Sequence, residues 1–216
     1  MRVGEIQIEH RGVTDYTSTW HAMKLYTEQR GAHTPDVCWL TQHPAVYTLG
    51  LNIKPENRPF NYENQSSDHI PCVETDRGGQ ITYHGLGQFI VYFLVDLRRR
   101  HLAVKEMVAA LEQGTLNFLS ELGIQGHLNP GAPGVYVDQA KIASLGLKIR
   151  RGCSYHGLSL NADMDLSPFD CIHPCGYEGL RVTQLRDWGI SFPNTSELHE
   201  LLAKTLIQSI DKIHKN

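Results

Sequence analysis

The run Phe89-Ile90-Val91-Tyr92-Phe93-Leu94 is continuously apolar. A strand that alternates apolar and polar residues can leave one face in water, but an unbroken run has to be covered on both faces. The chain therefore needs a layered fold with this strand inside it. Other strand-like runs surround it: Val37-Cys38-Trp39-Leu40 and Val46-Tyr47-Thr48-Leu49, joined by a turn through His43-Pro44, then Cys72-Val73-Glu74-Thr75, Gln80-Ile81-Thr82-Tyr83, Val135-Tyr136-Val137, and residues 142–149 and 154–160. Residues 15–30 read as a helix with Tyr16, Trp20, Met23 and Thr27 on one face and Gly31 as its stop. Val104, Val108, Leu111, Phe118, Leu119 and Leu122 mark a second helix ending at Gly123. A third begins after Asn194, with Glu197 three residues on as in a capping box and Leu198, Leu201, Leu202, Leu206 and Ile210 as its core face. Strands in the middle with helices between and around them predict an α+β fold with a mixed, largely antiparallel sheet and flanking helices. The pattern leaves strand order open. Residues 51–68 are polar and rich in Pro and Asn, which predicts an exposed loop of the kind used as a lid or binding loop.

With 216 residues, a single domain over 1–216 is expected, large enough to bury a core without disulfides or a structural metal. A net charge of -3 argues against nucleic acid as a partner, since that would call for a strongly basic face. Met1-Arg2-Val3-Gly4-Glu5 lacks a signal-peptide apolar run, and no stretch approaches the ~18–20 apolar residues of a membrane span, so a cytoplasmic protein without membrane partners is expected. The cysteines, Cys38, Cys72, Cys153, Cys171 and Cys175, are odd in number and irregularly spaced, which is no disulfide framework. Cys38, Cys72 and Cys153 lie in apolar runs and read as small buried hydrophobes.

Cys175 is different. It stands in Cys171-Ile172-His173-Pro174-Cys175-Gly176, between a proline and a glycine, on a turn where little crowds a thiol. A thiolate forms at neutral pH where a cation stabilises it, in settings that bring thiol pKa values to roughly 3.5–7.5. Lys141 opens Lys141-Ile142-Ala143-Ser144-Leu145-Gly146, a stretch that can carry its ammonium at a sheet rim facing a cleft; taken alone, such a lysine is usually solvated. Arg77-Gly78-Gly79-Gln80-Ile81-Thr82-Tyr83-His84-Gly85-Leu86-Gly87-Gln88 reads either as a glycine-rich hairpin or as a binding rim where backbone approaches a ligand closely, and it is not a P-loop because no Gly-Lys-Ser/Thr follows. Gly157 inside the strand run Gly157-Leu158-Ser159-Leu160-Asn161 marks close approach by a ligand or a neighbouring chain. Cys171, His173 and Cys175 lack the second ligand pair of a structural zinc site. A Cys–His dyad through His84, His156 or His173 stays open. The basic runs Arg98-Arg99-Arg100 and Lys148-Ile149-Arg150-Arg151 read as solvated surface or as docking points for an acidic carrier protein.

Taken in order from about Thr14 to Leu185, these segments resemble the lipoyl(octanoyl) transferase family, whose members move an octanoyl chain from acyl carrier protein to lipoyl domains. The likeness is carried by His43-Pro44-Ala45-Val46-Tyr47-Thr48-Leu49-Gly50, the Arg77–Gln88 loop, Lys141 to Gly146, Gly152-Cys153-Ser154-Tyr155-His156-Gly157 and Pro174-Cys175-Gly176. The resemblance implies the catalytic-domain fold of biotin and lipoate ligases, an acyl thioester on Cys175, and Lys141 as the group that lowers its pKa. It implies a substrate site lined by Arg77, Gly78, Gly79, Gln80, Ile81, Thr82, Tyr83, His84, Ser144, Leu145, Gly146, Gly157, Leu158 and Ser159. It implies octanoyl-acyl carrier protein as donor, and as acceptors the lipoyl domains of 2-oxoacid dehydrogenase E2 subunits and the glycine cleavage H protein, with no metal and no cofactor. Leu86 stands where the family usually has proline, and His173 where asparagine is common. The rival readings are an ATP-dependent lipoate or biotin ligase, a cysteine thioesterase, and a non-catalytic carrier-binding module.

Overall fold

The computed structural model describes residues 5–54, 70–173, 179–191 and 194–213. Most of the 51–68 loop and the residues 174–178, Cys175 among them, lie outside the described residues. In chain order the elements are β1 (Gln7–Val13), α1 (Tyr16–Glu28), β2 (Val37–Gln42), β3 (Val46–Leu49), β4 (Cys72–Glu74), β5 (Ile81–His84), β6 (Gln88–Leu94), α2 (Val104–Glu121), β7 (Gly126–Asn129), β8 (Ala132–Val137), β9 (Ala140–Arg150), β10 (Cys153–Asn161) and α3 (Thr195–Lys212). Among the described residues the strands form a larger sheet in the order β1-β2-β6-β10-β9-β8-β7 and a smaller one in the order β4-β3-β5. Only the β1–β2 and β3–β4 pairs are parallel, so both sheets are mixed and largely antiparallel, as the pattern predicted.

Every residue of β6 is buried, and its alternation explains the layers. Phe89, Val91 and Phe93 join the large core with Met107, Leu111 and Phe118 of α2 and Leu202 and Leu206 of α3. Ile90, Tyr92 and Leu94 face the other way, onto Met23 of α1 with Trp39 and Tyr155. The strand is covered on both sides because it has no face to leave in water. The smaller sheet has its own core, Tyr47, Leu49, Ile81 and Tyr83 against Met164, Phe169 and Ile172.

Helix ends follow local chemistry. The Asp15 carboxylate accepts from the Ser18 backbone N–H at 2.8 Å and caps α1. The Asn194 side chain accepts from Glu197 N–H at 3.4 Å at the start of α3. The sequence pattern missed β1 and β7, whose residues are mostly exposed or half-buried; edge strands wet on both faces carry no apolar period. Val104 (44 % exposed) and Leu201 (36 %) turn out of the core that their spacing assigned them. Cys72 is half-buried, while Cys38 and Cys153 are buried.

Arg98-Arg99-Arg100 is not an external basic run. Arg99 and Arg100 turn inward with Arg30 and close on the buried Asp36, and Arg100 also reaches Asp211 at 3.0 Å. Only Arg98 of the run stays exposed, beside Asp96 at 3.6 Å.

Candidate active site

Strand β9 supplies one wall of the site. Lys141 lies within it, only 2 % exposed, which reverses the solvated reading of a lone lysine. Its Nζ donates to the Pro133 carbonyl at 2.9 Å and sits 5.2 Å from the centre of the Tyr136 ring. The side chain passes over Gly134 (φ +125°), where an added Cβ would come within 3.0 Å of Lys141 Cε and 2.6 Å of the Ala143 carbonyl. A glycine is needed there so that an ammonium can lie across the backbone of β8. Lys141 N–H donates to Arg181 O at 2.8 Å and Thr183 N–H to Lys141 O at 3.0 Å, so the segment that follows Cys175 in the chain runs along β9 at Lys141.

A second group of residues encloses a largely apolar cavity between the two sheets. Its walls include Arg77, Gly79, Gln80, Ile81, Thr82 and His84 from the glycine-rich stretch, and Ser144, Leu145, Gly146, Gly157, Leu158 and Ser159 from β9 and β10. Two of the residues expected there are placed elsewhere. Tyr83 packs against Tyr47 and Phe169 in the core of the smaller sheet. Gly78 is not among the lining residues, its N–H donating to Leu147 O at 3.0 Å. Gly157 serves close strand approach: a Cβ there would stand 2.1 Å from Val91 O.

Sequence reasoning assigned no lining role to Tyr16, Ile90, Tyr92 or His156, all of which line the cavity. Tyr16 read as a core residue of its helix; it stacks on His84 at 5.7 Å and meets His43 edge-on at 5.2 Å. Behind them lie two groups of buried hydrogen bonds. His43 bonds Tyr92 Oη at 2.8 Å, His84 Nδ1 bonds Gln88 Oε1 at 2.7 Å, and Gln88 Nε2 donates to Asn161 Oδ1 at 2.9 Å. Burial holds His84 neutral, its pKa pushed down to about 3, and pushes the Tyr16 hydroxyl up to about 12. These two lining groups are therefore uncharged at neutral pH. The Arg77 guanidinium donates to Thr48 Oγ1 at 2.9 Å and to the Thr48 carbonyl, which turns it away from solvent.

Such a site, a largely apolar slot whose one lining guanidinium, Arg77, is tied to Thr48, fits an extended apolar tail better than a charged ligand. Among the described residues no group of three or more His, Cys, Asp or Glu side chains is arranged to hold a metal ion. His173, last before the segment holding Cys175, is half-buried; Leu86 is 57 % exposed.

Residues 15–207 match the family model described as lipoyl protein ligase A/B catalytic domain. A protein named octanoyltransferase from Nitrosomonas europaea is 50% identical over 94% of this chain and 95% of its own. Another of that name from Chromobacterium violaceum is 51% identical over 90% and 91%. Among solved structures, a putative lipoate protein ligase from T. acidophilum with bound lipoic acid superposes with a TM-score of 0.72 at 16% identity, covering 96% of this chain and 87% of that one. The biotin protein ligase of Aquifex aeolicus gives 0.56 at 11% identity, over 97% and 70%. At such identities these two structures bear on the fold alone.

Proposed function

This chain belongs to the lipoyl protein ligase A/B catalytic-domain family, and from that premise we propose that it is an acyltransferase that moves an octanoyl group from a carrier-protein thioester to a lysine of a lipoyl domain. The relatives named octanoyltransferase, half identical over nearly the whole chain, are the observation that carries the reading. Cys175 is the nucleophile. Its thiolate attacks the carrier thioester carbonyl, the acyl–sulfur bond to the carrier breaks, and the departing carrier thiolate takes a proton from the Lys141 ammonium, which leaves Lys141 a neutral amine. The target lysine amine then attacks the Cys175 thioester, loses a proton to the neutral Lys141 amine, and releases the Cys175 thiolate as the amide forms. Thioester exchange is nearly thermoneutral and amide formation from a thioester is downhill, so neither step calls for ATP. Backbone N–H groups of the glycine-containing segments are suited to the oxyanion, a role worth ~2.7–4 kcal/mol per donor. The largely apolar cavity suits the eight-carbon tail, at roughly 0.8 kcal/mol per buried methylene.

Several features support the assignment of roles. Lys141 is buried on β9, and its backbone is tied to Arg181 and Thr183 in the segment that follows Cys175. Most of the residues assigned to substrate gather in one cavity. The partners in this reading are octanoyl-acyl carrier protein as donor, with lipoyl domains of 2-oxoacid dehydrogenases and the glycine cleavage H protein as acceptors, in the cytoplasm. Among the described residues no helix is long and apolar enough to cross a membrane.

Intact-mass measurement after mixing the protein with octanoyl-carrier protein tests the proposal. The wild type is expected to gain one octanoyl group without ATP, Cys175→Ala to gain none, and Lys141→Ala to acylate slowly at neutral pH. An adduct undiminished in Cys175→Ala would defeat the nucleophile assignment. Product formed only with ATP and free octanoate would favour the ligase reading, and release of free octanoate in the presence of a lipoyl domain the thioesterase reading.

A further inference from the structure

His156 has φ +61° in the middle of β10, although it is neither glycine nor in a turn. The other described non-glycine residues with positive φ, His101, Asp138 and Arg151, all stand in turns. A left-handed residue inside a strand costs of order 1–3 kcal/mol and persists only where its surroundings hold it there. Here the neighbouring ladder is adjusted to match. β10 pairs with β6 from Gly157 onward, and between that point and the Asp96–Cys153 bridge the Ser154 hydroxyl steps in, donating to Phe93 O at 2.8 Å.

The consequence is local and chemical. Successive residues of a strand point to opposite faces, yet Tyr155 and His156 both reach one carboxylate. Tyr155 Oη donates to Asp76 Oδ2, and His156 Nε2 donates to Asp76 Oδ1 at 3.2 Å. Trp20 Nε1, from α1, donates to the same Oδ1 at 2.8 Å. Burial by itself would raise the Asp76 pKa, but the hydrogen bonds from His156, Tyr155 and Trp20 outweigh it and hold the carboxyl well below the usual range. The strained backbone thus aims two adjacent side chains at an aspartate that sits immediately before Arg77-Gly78-Gly79.

That following stretch contributes Arg77 and Gly79 to the cavity wall. On one side Leu51 N–H donates to Arg77 O at 3.0 Å and Asn52 N–H to Gly79 O at 3.1 Å; on the other Gly78 N–H donates to Leu147 O at 3.0 Å. It lies directly on β9, where a Cβ at Gly146 would come 3.1 Å from Gly78 O and 3.2 Å from Arg77 Cδ. We propose that Asp76, gripped by Trp20, Tyr155 and His156, is a positioning residue that fixes the Arg77–Gly79 rim over the cavity and so sets how tightly the acyl donor is held. In function this rests on the octanoyl-transfer reading; in structure it does not.

The test compares Asp76→Asn with Tyr155→Phe, the milder variant that loses one donor and keeps its ring. Acylation kinetics with octanoyl-carrier protein are expected to show a raised donor KM and a kcat/KM lowered by up to about 10²-fold in Asp76→Asn, as for a reacting group misplaced by about 1 Å. Tyr155→Phe should show a smaller change of the same kind. Amide hydrogen exchange, which needs no substrate, should quicken at Gly78 and Gly79 while the amides of β6 and α2 keep their protection. If the wild type forms no acyl adduct, the octanoyl reading falls and the exchange pattern alone decides this inference. Unchanged exchange at Gly78 and Gly79 would overturn it, as would faster exchange spread over the whole chain or a loss in kcat with donor KM unmoved.

Discussion

His84 and His199 are buried as neutral imidazoles, with pKa values pushed down to about 3 and about 4 from 6.5, burial being the main cause in each. His199 Nε2 donates to Ile90 O at 3.0 Å and its ring stacks on Phe89 at 4.7 Å, so a charge there would have no solvent. Each folded pKa lies below the unfolded one, so between the two values the unfolded chain binds more protons. The stabilisation is complete above about pH 6.5 and is lost as pH falls toward the folded pKa, by about 1.4 kcal/mol per pH unit per group. Urea unfolding at pH 7.5, 6 and 5 should show stability dropping over this range, with a shallower drop in His199→Gln; a flat profile for the wild type would contradict it. At this scale the sequence offers candidates where a motif points to chemistry, as in the segments holding Lys141 and Cys175. It was not readable where burial decides the state of a side chain. Nothing local to Lys141 distinguishes a solvated lysine from one that is 2 % exposed, because the groups that cover it come from Pro133, Tyr136 and Arg181.

Among elements, α2 and α3 carry the tightest test of packing against propensity. Gly114 sits inside α2, where Ala would gain about 1 kcal/mol of helix propensity. An added Cβ would, however, stand 2.9 Å from Leu206 Cα and 3.0 Å from Leu206 Cδ2 on α3. The backbone of a packed helix does not yield cheaply, and overpacking costs typically about 1–3 kcal/mol. Gly114→Ala is therefore expected to lower Tm in thermal unfolding despite the better helix former; a raised Tm would mean that α3 slides freely on α2. The helices themselves and the inner strands were legible because one covered face imposes a period on their residues. The edge strands β1 and β7 were not, since exposed residues such as Gln7 and Leu128 carry no such period. Nor could a pattern show that Tyr155 and His156 share a face, because that follows from one left-handed residue and the carboxylate it meets.

For the molecule as a whole, Asp36 joins distant parts of the chain. It precedes β2, and it binds Arg30 from just beyond α1, Arg99 at 2.6 Å and Arg100 at 2.7 Å after β6, with Arg100 continuing to Asp211 on α3. Removing one member of a buried ion cluster strands the others, at a cost of about 3–5 kcal/mol. Asp36→Asn should lower unfolding free energy by about that amount, with little dependence on added salt because the cluster is screened from solvent; a change within ±0.5 kcal/mol, ordinary for surface sites, would refute the role. From the sequence these arginines looked like a surface run, since their counter-charge is far away in the chain. Local pattern and motif by themselves determined the layered α+β class, the helices, the central strand covered on both faces, and the residue types that point to acyl transfer. Only the tertiary structure decided which charges turn inward, which side chains close the cavity, and where Asp76 is held. Periodicity and motifs are written by neighbours in sequence, whereas burial and ion pairing are set by neighbours in space.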